Sequence, residues 1–441
     1  MRATPVVVAM AFLAMLGIAV PAPAEDSIFI PSFTYRSGPF AASGVALANG
    51  MHDYLTLLDE RDGGIAGVKL DAEECETGYD TKKGVECYEA VKGKKPIVVN
   101  PSSTGIALQL IPKASVDRIP ILSVGYGLSA AAAGGEFPWI FNPPATSLDA
   151  LSMIFQYIAG REGGLERLEG KTIGYIFLDG NYGREPVVLL QQLARDYGFA
   201  VRTYPVAGQH AHDQSAQWRD VGRDRPDWMI MWGFGAMNAV AIKEAAAIRF
   251  PMDRFIGSWN AGGEDDVQPA GARARGYLAL NFNGSGADYP AIHEIVERVV
   301  DAGNSRTARD KVGENLYDRG VYNGVLIAEA IRNAQKLSGR KAIGGKDMRR
   351  GLESLAISPQ RWRQLGLPDF AGAITGISCT DHSGHQAAYV QQWDGAKWVR
   401  ASGWISPMTD RLGPMLQAAV TDYVSRDPAW PKRSEPCDKS S

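Results

Sequence analysis

Residues 172–205 read TIGYIFLDGNYGREPVVLLQQLARDYGFAVRTYP. A run of β-branched and aromatic residues, Thr172 to Leu178, ends at Asp179-Gly180-Asn181. It gives way to helical periodicity from Arg184 to Tyr197, then to a second β-rich run, Ala200 to Pro205. Strand, helix and strand in about 34 residues make one βαβ unit, whose crossover requires the two strands to be parallel.

The alternation continues on both sides. Further strands are predicted at Ile28 to Pro31, Val68 to Glu73, Pro96 to Val99, Ile119 to Val124, Trp228 to Trp232, Arg254 to Ser258 and Arg275 to Phe282. Helices are predicted at Gly44 to Arg61, Thr81 to Lys92, Leu148 to Glu162, Asn238 to Ile248, Tyr289 to Ala302 and Asn315 to Leu337. The fold class is therefore α/β with mainly parallel sheets. One core rarely serves more than about 300 residues, so 441 residues imply two Rossmann-like lobes. Asn142-Pro143-Pro144 is a natural crossover, since a proline pair continues neither a helix nor a central strand. The expected division is 25–144 plus about 283–355 for one lobe, 145–282 plus about 356–405 for the other, and 406–441 as a C-terminal extension. Asp394-Gly395 marks a hairpin turn between Tyr389 and Val399, and the tail after Met408 is expected to end in an extended stretch held by Cys437.

Arg2, an apolar run from Pro5 to Val20 and Ala22-Pro23-Ala24 follow the order of an export signal cleaved near Ala24. No later stretch reaches the roughly 18 apolar residues of a membrane helix. With 46 Lys and Arg against 49 Asp and Glu, nothing in the charge points to nucleic acid. In an oxidising compartment the four cysteines are expected to form two disulfides, and proximity pairs Cys75 with Cys87 and Cys379 with Cys437.

Signals for chemistry are weak. Gly125-Tyr126-Gly127-Leu128-Ser129-Ala130 imitates a dinucleotide fingerprint with Asp149 downstream, but Gly134-Gly135, Pro138 and Pro143-Pro144 interrupt the unit. Gly233-Phe234-Gly235 is as weak, and no GxSxG nucleophile elbow occurs. His210, His212 and Asp213 lack further ligands at metal spacing, and His382 and His385 are expected to be structural. Glu264-Asp265-Asp266 is read as a solvated loop or helix start. No cofactor and no metal are expected.

Ligands of open α/β sheets bind beyond the carboxyl ends of the strands. The loops there carry Tyr35; Ser102, Ser103 and Thr104; Tyr126 and Gly127; Asp179 and Tyr182; Phe234; and Trp259 with Asn260. Hydroxyls at a helix start suit a carboxylate, and Tyr126, Tyr182, Phe234 and Trp259 offer flat apolar walls.

Ser37-Gly38-Pro39, Ser102-Ser103-Thr104, Ile119 to Ser123, the loop Asp179 to Gly183 and Gly233-Phe234 together resemble the leucine- and branched-chain-amino-acid-type solute-binding proteins of ABC importers. The resemblance runs from about Ser27 to about Trp404. It implies a type I periplasmic binding clamshell with hinge crossovers, a small-molecule ligand, an inner-membrane ABC permease as partner, a periplasmic monomer and no enzymatic activity. A periplasmic sensor of the same fold and a secreted enzyme are the alternatives. The resemblance places the ligand carboxylate at Ser103 and Thr104, a second loop at Tyr126 and Gly127, and facing aromatics at Tyr182 and Phe234. The sequence departs at Trp259, where amino-acid binders of the family place an acid for the ligand ammonium. Glu264, Asp265 or Asp266 substitutes from the same loop, or the ligand is an aromatic or apolar carboxylate or amide; the second is favoured. Cys87 departs too, because it lies on a helix and not in the Ser-rich loop.

Overall fold

The computed structural model describes residues 27–125, 128–427 and 430–437. The export signal expected at 1–24 lies outside the described residues.

Five short parallel segments build the N-terminal sheet. Ser27–Phe29 pairs with Lys69–Asp71, and Ser32–Thr34 pairs with Glu74–Glu76. Pro31, which has no N–H to give the ladder, divides the first strand in two. On its other side Phe33 N–H donates to the Asn100 carbonyl (3.0 Å) and Leu122 N–H to that of Val99 (2.9 Å). Residues 97–100 are thereby wedged between the first strand and Ile121–Leu122, which pairs with Ile140–Phe141. The chain order across this sheet is 2-1-3-4-5.

The C-terminal sheet runs, in space, Ala200–Val206, Thr172–Leu178, Trp228–Trp232, Phe255–Gly257, Leu278–Asn281, Tyr389–Trp393 and Trp398–Arg400. Its first five strands are parallel and repeat the order 2-1-3-4-5. The last two are antiparallel, joined by the expected turn, where the Asp394 carboxylate accepts the N–H groups of Ala396 and Lys397. Each sheet thus has its own switch point, where loops from neighbouring strands diverge and leave a crevice.

One expectation changes and two helices are added. The helix predicted over 184–197 is two, Asn181–Arg184 and Val187–Tyr197, because Pro186 breaks the hydrogen-bond ladder. The helix start expected at the Ser102–Thr104 loop opens the helix Thr104–Asp117, whose length Pro112 masks in the sequence. The tail carries the helix Thr409–Ser425, and residues 430–437 beyond it, in neither helix nor strand, are held by Cys437 as expected. Both disulfides form as paired by proximity, with Cα–Cα distances of 5.9 Å (Cys75–Cys87) and 5.5 Å (Cys379–Cys437).

The helices Ala41–Asp62 and Asn315–Ser338 cross almost backbone to backbone. A Cβ on Gly50 would stand 1.9 Å from the Tyr317 carbonyl oxygen, and one on Gly320 would stand 2.3 Å from that of Leu47. Gly50→Ala is therefore expected to destabilise the protein by about 3 kcal/mol despite the better helix former. Gly160→Ala, on an exposed helix position where a Cβ meets nothing within 4 Å, is expected to stabilise by roughly 0.5–1 kcal/mol. Urea unfolding of the two variants tests the opposite signs.

Candidate functional site

The strand-end loops of the C-terminal sheet converge. Tyr182, at the start of the helix after Thr172–Leu178, places its hydroxyl 3.1 Å from Ser258 Oγ and accepts a hydrogen bond from Asn260 Nδ2 at 2.7 Å. Between Ser258 and Asn260 the Trp259 indole N–H is shared by the Asn281 and Asn283 side-chain oxygens, each at 2.9 Å. Asn281 in turn donates to Asn315 (2.7 Å) and Gln391 (2.8 Å), so a layer of buried amides fixes the indole from below.

A fully buried guanidinium closes the arrangement from the N-terminal side. Arg319, on the Asn315–Ser338 helix, lies over the Trp259 ring at 3.7 Å from its centroid. It donates to Asn260 Oδ1 and to the Val124 carbonyl beyond the strand Ile121–Leu122. Gly125 leaves room for this: its φ is +72°, and a Cβ there would stand 2.6 Å from Arg319 Nη2 and 3.1 Å from the indole.

Tyr182, Trp232, Ser258, Trp259, Asn260 and Phe282, with Gly125, Asn142 and the stretch Ala145–Ser147, line an inner cavity of about 30 Å³. That is room for one or two waters. No carboxylate among the described residues lines it. Beside it lies a chamber of about 500 Å³, with Thr104, Leu128, Ser129, Asn181 and Glu185 in its walls. Glu185 stands between the two spaces, accepting the Ser129 N–H at 2.7 Å and bonding to Ser147. Burial raises the Glu185 carboxyl above its ordinary range, and these hydrogen bonds oppose the rise.

Of the residues singled out in the sequence, the inner cavity unites Tyr182, Trp259 and Asn260. Ser102 instead hydrogen-bonds Asn100, Ser103 caps the Thr104–Asp117 helix through the Ile106 N–H, and Thr104 faces the larger chamber. Asp179 forms an ion pair with Arg184 at 2.6 Å. Phe234 leaves the C-terminal sheet to pack on Tyr35, Phe40 and Tyr79 of the N-terminal body, at centroid distances of 5.6, 5.7 and 5.5 Å. Tyr126 and Gly127 lie outside the described residues.

Arg319, Asn281 and Asn283 are not among the residues expected from the sequence. Asn281-Phe282-Asn283 at the end of an apolar strand is the available signal, because alternate residues share a face. Arg319 offers none, since a cation in a helix is ordinarily read as solvated.

Of the two readings of the acidic cluster, a solvated loop or a helix start, the structure shows the second: Glu264–Val267 is a short helix, and its acids are not all solvated. Asp266 is buried, capping the Gly263 N–H at 2.9 Å, and Glu264 accepts the Asn315 N–H at 2.9 Å; only Asp265 is exposed. None of the three lines the inner cavity. Burial, aided by neighbouring Glu314 and Asp266, pushes the Glu264 carboxyl up to about 8 against the pull of the Asn315 N–H. The folded state therefore holds this proton more tightly than the unfolded chain, whose value is 4.5, and the stability it confers falls as pH rises from 4.5 to about 8. Glu264→Gln is expected to melt progressively higher than the parent as pH rises from 5 to 8.5, the two converging at the acid end. Thermal melts across that range check it.

The remaining polar motifs are structural. Asp213 accepts from the N–H and hydroxyl of Ser215 at a helix start. His382 lies flat on Phe141 and bonds the Ile140 carbonyl (2.7 Å), while His385 bridges Asp149 (2.8 Å) and Asp381 (3.3 Å). Asp149, the acid downstream of the glycine motif, completes the capping box of the Ser147–Glu162 helix.

Residues 27–397 match the model of a family described as periplasmic binding protein. A solved structure from the Pseudomonas fluorescens group, described as an ABC transporter permease, is 38% identical; the match covers 93% of this chain and 100% of that one, with a TM-score of 0.85. A branched-chain amino acid ABC transporter protein from Thermus thermophilus with bound valine is 20% identical over 88% of this chain and 98% of its own (TM-score 0.73). An R. palustris solute-binding protein in complex with benzoate is 16% identical over 86% and 97% (TM-score 0.65). The last two likenesses concern the fold. No curated protein matches the chain. With a family model spanning most of its length and two sheets of the same 2-1-3-4-5 order, the chain belongs to the periplasmic binding protein family and has its type I fold.

Proposed function

We propose that the protein is the substrate-binding component of an ABC importer, a periplasmic monomer that captures a small organic solute between two lobes and passes it unaltered to a membrane permease. The proposed lobes are 25–144 with about 283–355, and 145–282 with the strands Tyr389–Trp393 and Trp398–Arg400 from about 356–405; the residues just after Cys379, within that last span, pack on the first lobe. The observation that carries this reading is the meeting of strand-end loops from both sheets around buried hydroxyls, amides and an indole, with Arg319 and Glu185 crossing between the bodies. An inner cavity of about 30 Å³ is smaller than an amino acid, so a solute seated on Tyr182, Trp259 and Asn260 requires the lobes to part and close again around it. Because the ligand gains contacts on both lobes only when they are shut, binding favours the closed form that a permease can read.

The lining supports a carboxylate or amide without an α-ammonium. A buried ammonium needs a carboxylate partner; none lines the inner cavity among the described residues, and Glu185, in the wall of the larger chamber, is already engaged by the Ser129 N–H and by Ser147. Ser103 and Thr104, at the start of the Thr104–Asp117 helix, offer N–H and hydroxyl donors to a carboxylate when the cleft rearranges. Native mass spectrometry of gently purified protein is expected to show a retained small mass that is lost on unfolding. Calorimetry is expected to show heat with benzoate and none with valine. Tight valine binding would overturn the ligand class, and an empty protein that binds no amino acid, aromatic acid or amide would overturn the binding function.

A further inference from the structure

We propose that the C-terminal segment 406–437 is a strap that ties the two lobes together and limits how far the cleft opens; this rests on the two-lobe reading above.

The strap begins on the C-terminal body. Gln156 Nε2 donates to the Ser406 carbonyl at 2.7 Å, and Met408 N–H donates to Ser152 Oγ at 3.1 Å, both on the Ser147–Glu162 helix. One turn on, Arg411 forms an ion pair with Asp196 at 2.6 Å and lies 5.1 Å from the Tyr197 ring centroid, while Leu412 is buried. The helix Thr409–Ser425 then carries the chain about 25 Å at 1.5 Å per residue. Its far end is sunk in the N-terminal body. Val420 joins the core that holds Ile111 and Phe137, and Tyr423 and Trp430 close on Phe137 at 5.5 and 5.2 Å. Trp430 Nε1 donates to the Glu136 carbonyl at 2.7 Å, Arg433 N–H donates to that of Gly135 at 2.9 Å, and Arg433 pairs with Glu353.

Cys437 bonds Cys379, and the segment just after Cys379 lies against the N-terminal body: Gly134 N–H donates to the Thr380 carbonyl and His382 N–H to that of Ala132. The far end is thus held covalently, and the near end by an ion pair, backbone hydrogen bonds and a buried leucine. A helix is stiff along its axis, so the lobes cannot separate along the strap without undocking one end. Rotation about the crossovers remains available up to that limit. The larger chamber, with Met415 and Tyr423 in its wall, lies beneath the strap and shares its constraint.

Spin-label distances across the cleft test this in the full chain. Nitroxides are attached at Lys82→Cys, on the N-terminal body, and Arg223→Cys, on the C-terminal body, both exposed, with the native cysteines already paired. Three chains are compared: the parent, one ending at Ser406 and carrying Cys379→Ser so that no native thiol is freed, and one with a short Gly/Ser insertion after Gln417. The insertion leaves both docked ends intact but slackens the bridge, and it remains informative where the shortened chain does not fold. The parent is expected to give a narrow distribution, and the slackened and shortened chains a longer mean distance and a severalfold broader one. A parent as broad as the slackened chain overturns the strap while leaving the hinge. Distributions that are narrow and identical in every folded chain overturn the two-lobe motion, and the strap with it.

Discussion

Arg319→Met is expected to cost about 3 kcal/mol of stability and to loosen the closed cleft. The guanidinium is fully buried, and its removal leaves Asn260 Oδ1 and the Val124 carbonyl without their charged donor. Hydrogen bonds to a charged group are worth roughly 1.5–3 kcal/mol each, and a desolvated cation over an indole adds about 2 kcal/mol; relaxation and water entry recover part of the sum. Arg319→Lys is not expected to restore the parent, because one ammonium cannot stack flat on Trp259 and reach two acceptors at once. Urea unfolding measures the first effect and small-angle scattering the second, as an increased radius of gyration. A Lys variant as stable as the parent would show that charge alone suffices and that the planar fork has no role.

Trp259→Ala is expected to destabilise by about 3–5 kcal/mol, the usual result of truncating a buried aromatic. The indole fills the space between Gly125, Phe282 and Tyr322, and its N–H serves two asparagines at once. Trp259→Phe keeps a ring face for Arg319 but loses that N–H, and is expected to cost about 1–2 kcal/mol. Because Arg319 and Trp259 share one contact, the double variant Arg319→Met, Trp259→Ala should be less damaged than the two single losses predict. The discrepancy is expected to be about 1–2 kcal/mol in a double-mutant cycle. Additive losses would mean that the stacked pair is not energetically coupled.

The two variants also bear on ligand choice. In the family resemblance Trp259 holds the place of an acid, and in the structure it is committed at its edge and on a face: an amide layer bonds its N–H and a guanidinium covers its ring. A position so occupied is not available as an ammonium partner. The acids a few residues further along the chain are engaged elsewhere, Glu264 with the Asn315 N–H and Asp266 with that of Gly263.

The sequence by itself determined most of the elements and their kind, the helices Thr104–Asp117 and Thr409–Ser425 excepted. Thr172–Leu178 and Trp228–Trp232 are legible as strands to the residue, because a buried parallel strand is a continuous apolar run whatever surrounds it. Alternation of such runs with helical periods made the sheets parallel, since each crossover returns the chain to the end of the sheet where the previous strand began. Proximity along the chain sufficed for the disulfides. Only the tertiary structure decided which strand-end loops meet: Tyr182, Trp259 and Asn260 converge, while Phe234 packs on Tyr35 and the Ser102–Thr104 loop stands apart from the inner cavity. It also revealed Arg319 as a buried crossing cation and turned an unexplained tail into a helix joining both bodies. The reason is physical: hydrophobic period reports whether a face is covered but not what covers it. The partners of Arg319 and Trp430 lie 195 and 294 residues away along the chain, where no local pattern can record them.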